Sequence, residues 1–136
     1  MHLHRTLFVS DAVGSAASSL LALAEILGES ERNNRRDGLT SALMRHDGWF
    51  LQVVEGHRFD IDRLMDRLRA DPRHENLRLL SDQPVRTRRF GDWPMILAEL
   101  NPQASRLLNG DALDQISPVR AEAVLAAAVG LAAPPT

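Results

Sequence analysis

The chain contains no cysteine, which excludes disulfides, thiolate metal sites and thiol nucleophiles together and points to a reducing compartment. No apolar run approaches the roughly 18 residues that cross a bilayer. Met1-His2-Leu3-His4-Arg5 leads into a strand pattern rather than a signal peptide, so a cytoplasmic protein without membrane contact is expected. Lysine is absent too, and all 16 basic residues are arginine. Set against 18 acidic residues they leave a formal net charge of −2, which gives no general attraction to nucleic acid. Tyrosine is missing, so phenol chemistry is removed from the whole chain. The familiar catalytic patterns are lacking as well: there is no HExxH, P-loop, GxGxxG or GxSxG, and the histidines at 2, 4, 46, 57 and 74 lack metal-ligand spacing with carboxylates. An enzyme is not expected.

What remains is a chain of 136 residues, near the common size of one domain and long enough to bury a core without staples. Leu3 to Ser10 reads as a first strand with Thr6, Phe8 and Ser10 on one face. A helix follows from about Ser15 to Asn33, its apolar stripe formed by Leu20, Leu23, Ala24 and Leu27, and Asn33 to Gly38 reads as its end and turn. Leu39–Arg45 and Trp49–Glu55 form a hairpin across His46-Asp47-Gly48. A second helix carries Phe59, Ile61, Leu64, Met65 and Leu68 on its stripe and ends at Asp71-Pro72. Leu77–Leu80 reads as a short fourth strand, the region of Pro84, Arg86, Arg88 and Arg89 as a solvated loop, and Trp93–Leu100 as a fifth strand. The fold class is therefore α+β: a ferredoxin-like βαββαβ sandwich with an added fifth strand over residues 1–100. Residues 101–136 read as a short C-terminal helical extension, broken at Gly110 and Ser117-Pro118, covering the second face of the sheet before a frayed tail at 132–136.

The third strand carries the chemical question. Phe50, Gln52 and Val54 share one face and Trp49, Leu51 and Val53 the other, so Gln52 enters a layer of apolar neighbours. A buried amide without partners costs about 1–3 kcal/mol, so either side chains or a ligand's polar edge must satisfy it.

Several motifs then stand in order: Leu7-Phe8-Val9-Ser10, Arg32-Asn33-Asn34 before Leu39-Thr40, Phe50-Leu51-Gln52-Val53-Val54-Glu55-Gly56, Asp71-Pro72-Arg73-His74, and Arg88-Arg89-Phe90-Gly91-Asp92-Trp93-Pro94-Met95. Together, over about residues 3–100, they resemble the BLUF family of blue-light sensors that use FAD. The resemblance implies a flavin ring seated between the two helices over the sheet. It implies that Asn34 bonds the flavin's polar edge with Asn33 beside the ring, that Gln52 touches N5 and O4, and that Arg73 and His74 lie at the ring's other side. Trp93 and Met95 take the fifth-strand positions whose side chains exchange near the glutamine on illumination. It implies a short sensor that signals through an unidentified protein partner and is expected to form a homo-oligomer. The residues beyond 100 are too few for an output enzyme.

Two positions leave the family pattern. Phe8 stands where the family places its Tyr, the electron and proton donor of the photocycle, so flavin binding is expected to survive while the red shift is lost. Ser41 stands where a Gly commonly follows the Leu-Thr pair, and a side chain there is expected to crowd the sheet or the ligand. An alternative from another class is a flavin-free protein-interaction module on the same scaffold.

Overall fold

Alternation along three strands sorts side chains into two layers, and the computed structural model, which describes residues 2–131, realises both. The elements are β1 (Leu3–Ala12), a 3₁₀ turn (Gly14–Ala17), α1 (Leu20–Asp37), β2 (Thr40–His46), β3 (Trp49–His57), α2 (Arg58–Ala70), β4 (His74–Val85), β5 (Ile96–Leu97), α3 (Pro102–Leu108) and α4 (Pro118–Ala128). The sheet order is β4-β1-β3-β2-β5, with antiparallel pairs except for β2 and β5, which run parallel. This is the expected α+β sandwich, with β5 added beside β2.

One face buries Leu7, Val9, Met44, Leu51 and Val53 against Phe90 and against Val124 and Leu125 of α4. The opposite face carries two clusters. Phe8, Leu39 and Val54 pack on Ile61, Leu64 and Met65 of α2, while Leu43 and Phe50 pack with Ala16 and with Leu23 of α1. The helical extension thus belongs to the sheet's own core.

Local chemistry sets the boundaries. Asp47 (φ 50°) and Gly48 (φ 87°) both adopt the left-handed backbone that a two-residue hairpin needs. The Ser19 side chain accepts from Ala22 N at 3.1 Å and caps α1. Gly38, at φ 69°, ends it. The expected turn at Asn33–Gly38 is therefore corrected: Asn33 and Asn34 lie in the helix, whose last turn holds Arg35 and Arg36, cations favourable to the negative end of the dipole.

The fourth and fifth strands depart most from expectation. β4 runs to 12 residues rather than the short Leu77–Leu80, because pairing with β1 carries it through polar Ser81, Asp82 and Gln83; as an edge strand it tolerates Pro84. β5 shrinks to Ile96–Leu97, since Pro94 has no N–H to give a ladder, and Trp93 to Met95 precede it as irregular chain. Phe59 is 70% exposed: α2 turns Ile61, Leu64 and Met65 to the sheet and Phe59 to water. Val119 of α4 is likewise exposed, Ala121, Val124 and Leu125 being the buried face. The region of Pro84 to Arg89 is exposed at Pro84 and Arg86, as expected, but pinned from Arg88 onward. Arg88 donates to Thr40 Oγ1 and to the carbonyls of Glu55 and Gly38 at 2.8 Å each, and Arg89 N and Phe90 N donate to the buried Glu55 carboxylate at 2.9 and 2.8 Å. The tail at 132–136 lies outside the described residues.

Candidate functional site

Gln52 sits in the middle strand of the sheet, in register with Phe8 on β1 and Leu43 on β2. Gln52 is 7% exposed, and its Nε2 donates to Ser41 Oγ at 2.8 Å. Ser41, whose side chain is expected from the sequence to crowd the sheet or a ligand, is a partner of the amide.

Above Gln52 lies a cavity of about 100 Å³ between α1 and α2, where the two clusters on this face part. Gln52, Leu43 and Phe50 line its sheet side; Ile26, Ser30 and Asn33 line it from α1; Leu64, Arg67 and Leu68 line it from α2. Asp71, Arg73 and His74 close one end. The lining is mixed: Ile26, Leu43, Phe50, Leu64 and Leu68 give apolar surface, while Gln52 and Ser10 of the sheet, Glu29, Ser30 and Asn33 of α1, Arg67 of α2 and the Asp71–His74 corner bring hydrogen-bonding groups, which suits a ligand with apolar faces and several polar atoms.

That corner is rigidly held. Asp71 Oδ1 accepts from Arg73 N at 2.9 Å and from Arg73 Nε at 2.9 Å, and Arg73 Nη1 lies 3.1 Å from Glu29 of α1. Burial alone opposes charge on Asp71, but the side-chain and backbone hydrogen bonds from Arg73 outweigh it and hold the carboxyl below its ordinary range. The same bonds raise Arg73, which stays a cation bridging the end of α2 to α1. His74 Nε2 faces the Leu68 carbonyl, which can only accept, so that nitrogen carries a hydrogen. Its Nδ1 lies 2.7 Å from Ser10 Oγ, and its ring stands edge-on to Phe50 with centroids 6.4 Å apart.

The eight residues singled out from sequence divide. Asn33, Gln52, Arg73 and His74 line the cavity. Phe8, buried, lies beside Gln52 across the strand pair and offers no hydroxyl. Asn34, fully buried, donates from Nδ2 to the Pro94 carbonyl at 2.8 Å, while its Oδ1 has no partner among the described residues. Met95 packs beside Leu43 and Phe50 and Trp93 is 40% exposed, and both precede β5 as irregular chain rather than standing in the expected fifth strand. Ser10, Ser30, Phe50, Arg67 and Asp71 were not singled out. Their signals existed: Ser10 and Phe50 are two residues from Phe8 and Gln52 along their strands, and Ser30 and Ile26 precede Asn33 by helical spacing.

Among the described residues no group of three or more His, Asp or Glu side chains could hold a metal ion, and no helix is long and apolar enough to cross a membrane. A family profile described as BLUF, sensors of blue-light using FAD, matches residues 3–96. The photoactivated adenylate cyclase subunit beta of Euglena longa is 34% identical over 94 residues, 69% of this chain and 11% of that protein. The chain therefore spans about a tenth of the length of such relatives. Among solved structures, the dark state of BlrB, a BLUF protein, superposes with a TM-score of 0.72 at 27% identity, covering 93% of this chain and 97% of that one. The photo-activated state of BlsA superposes at 0.85 over 98% of this chain and 99% of that one; at 20% identity this likeness speaks to the fold.

Proposed function

This chain belongs to the BLUF family, the sensors of blue-light using FAD, and from that membership we propose that it holds FAD between α1 and α2 as a short sensor whose light response is disabled at Phe8. The observation that carries the binding half is the cavity between α1 and α2, lined by Asn33, Gln52, Arg73 and His74; Asn34, next to Asn33 but outside that lining, adds a fully buried acceptor, Oδ1, with no protein partner among the described residues. Such an atom costs about 1–3 kcal/mol if left unpaired. The pyrimidine edge of a flavin offers an N3–H donor that suits it. Asn33, Gln52 and the Arg73 guanidinium supply donors for the flavin's carbonyl oxygens and N5, and Leu43, Phe50 and Leu64 supply apolar contact for the rings. A bound flavin would contribute the visible chromophore. What these side chains contribute is orientation and exclusion of water.

The light-sensing half turns on Phe8. Its ring keeps the contact area beside Gln52, but a phenyl group has no proton to give and is a poor electron donor, and the chain has no tyrosine to replace it. Binding and signalling separate, since losing the hydroxyl forfeits one hydrogen bond worth about 0.5–1.5 kcal/mol. In this reading the domain acts as a sensor and performs no catalytic step itself. It acts in the cytoplasm through contacts with a protein partner, as a homo-oligomer, and the cyclase of the Euglena relatives is theirs.

The direct test is to unfold the purified protein, identify the released chromophore by chromatography, and measure reconstitution with FAD, FMN and riboflavin. FAD is the expected cofactor. Asn34→Ala weakens its affinity about tenfold, which equals about 1.4 kcal/mol; an unchanged affinity removes Asn34 from the site.

A further inference from the structure

Gln52 lines the cavity, yet its one described hydrogen bond points sideways within the sheet, from Nε2 to Ser41 Oγ at 2.8 Å. Ser41 is 1% exposed, so water does not compete for that hydroxyl. The backbone of Ser41 is tied in turn: its N–H donates to the Trp93 carbonyl at 3.1 Å, one residue before the Pro94 carbonyl that Asn34 holds. The amide, the hydroxyl and the Trp93–Pro94 segment form one connected chain of bonds.

A primary amide has two unlike ends. Nε2 gives two hydrogens and Oε1 only accepts, so the direction in which the amide faces decides whether it meets a ligand as donor or acceptor. Phe8, directly across from Gln52, has no polar atom and exerts no preference. Leu43, on the other side, exerts none either. Ser41, which makes the one described hydrogen bond to the amide, can. Its hydroxyl accepts from Nε2 in the orientation observed, and rotation about the C–O bond lets it donate to Oε1 should the amide turn over.

We propose that Ser41 is the positioning residue of Gln52, its hydroxyl selecting which end of the amide faces the cavity and linking that choice to the Trp93–Pro94 backbone. The proposal rests on the flavin reading for the identity of the ligand but not for the Ser41–Gln52 pair itself. Ser41 touches no ligand. It acts through Gln52, so its removal alters how a flavin's N5 and O4 edge is bonded rather than whether the pocket is closed.

The test uses the full chain as wild type and as Ser41→Ala, Ser41→Gly and Ser41→Thr, each shown by circular dichroism to be folded. In flavin-free protein, solvent exchange of the Gln52 side-chain amide hydrogens is followed by NMR. Loss of one hydrogen bond speeds it about fivefold in Ser41→Ala and Ser41→Gly, while Ser41→Thr, which keeps a hydroxyl, stays near wild type. In flavin-loaded protein the flavin C4 carbonyl stretch and the visible band shift in the two hydroxyl-free variants and return in Ser41→Thr, a signature that a purely structural serine would not produce. Unchanged amide exchange in Ser41→Ala overturns the proposal. So does an unchanged carbonyl stretch in a variant that has taken up flavin. A wild-type protein that takes up no flavin overturns the flavin reading instead, and the exchange measurement still decides whether Ser41 holds Gln52.

Discussion

Phe8 and Gln52 face each other across β1 and β3, and the strand alternation that puts them on one face is visible in the sequence. So is the need of Gln52 for partners. The identity of one partner is not: Ser41 pairs in register with Val54 and reaches Gln52 diagonally, a relation that exists only once β2 and β3 are zipped. Arg73 and His74 were legible as a pair at a helix end, but the carboxylate clamp around Arg73 joins Glu29 to Asp71 across the cavity, and no local pattern reveals it. That clamp carries a pH dependence. The carboxyl of Asp71 is depressed in the folded protein, so its stabilising contribution is complete above the ordinary value of 3.8 and is lost as pH falls from there through the folded value. Asp71→Asn should therefore be less stable than wild type at neutral pH, with the difference shrinking below the ordinary carboxylate range. Urea midpoints measured across pH check this, and parallel curves would contradict it.

Elements were legible where local chemistry sets them. Asp47-Gly48 specifies the β2–β3 hairpin; the caps Ser19 and Gly38 set the ends of α1 as well, but the sequence pattern places that helix at about Ser15 to Asn33 and so misses both ends by about four residues. Elements set by partners were not. β4 owes its length to β1, and β5 its brevity to the missing N–H of Pro94, so the fourth strand read too short and the fifth too long. The ends of α1 matter to function because its last turns place Asn33 in the cavity lining and Asn34 on the Pro94 carbonyl. Ser19→Ala removes the acceptor for Ala22 N and should cost about 1 kcal/mol, read as a lowered melting temperature. No change would mean that packing of Leu23 alone fixes the start of the helix.

At the scale of the whole molecule, Glu55 joins regions that the site separates. It lies three residues beyond Gln52 on β3, fully buried, and accepts from Arg5 Nε at 2.9 Å as well as from the Arg89 and Phe90 backbone. Arg5 and Arg89 both continue to Glu122 on α4. The sheet, the loop leading to Trp93 and the helix covering the far face are thus bonded through one carboxylate. Glu55→Ala leaves buried donors and a cation unpaired and should destabilise the fold by about 3–5 kcal/mol in chemical denaturation, whereas a loss below about 1 kcal/mol would mark the network as dispensable. The central claim, a flavin site whose photocycle stops at Phe8, is tested most directly by the visible absorption spectrum of the purified protein in darkness and under blue light, beside Phe8→Tyr. The expected result is a structured flavin band that stays in place in wild type and shifts reversibly to the red in Phe8→Tyr. A reversible red shift in wild type would contradict the role given to Phe8, and a colourless protein that FAD cannot reconstitute would contradict the site itself and leave the interaction module as the function of this fold.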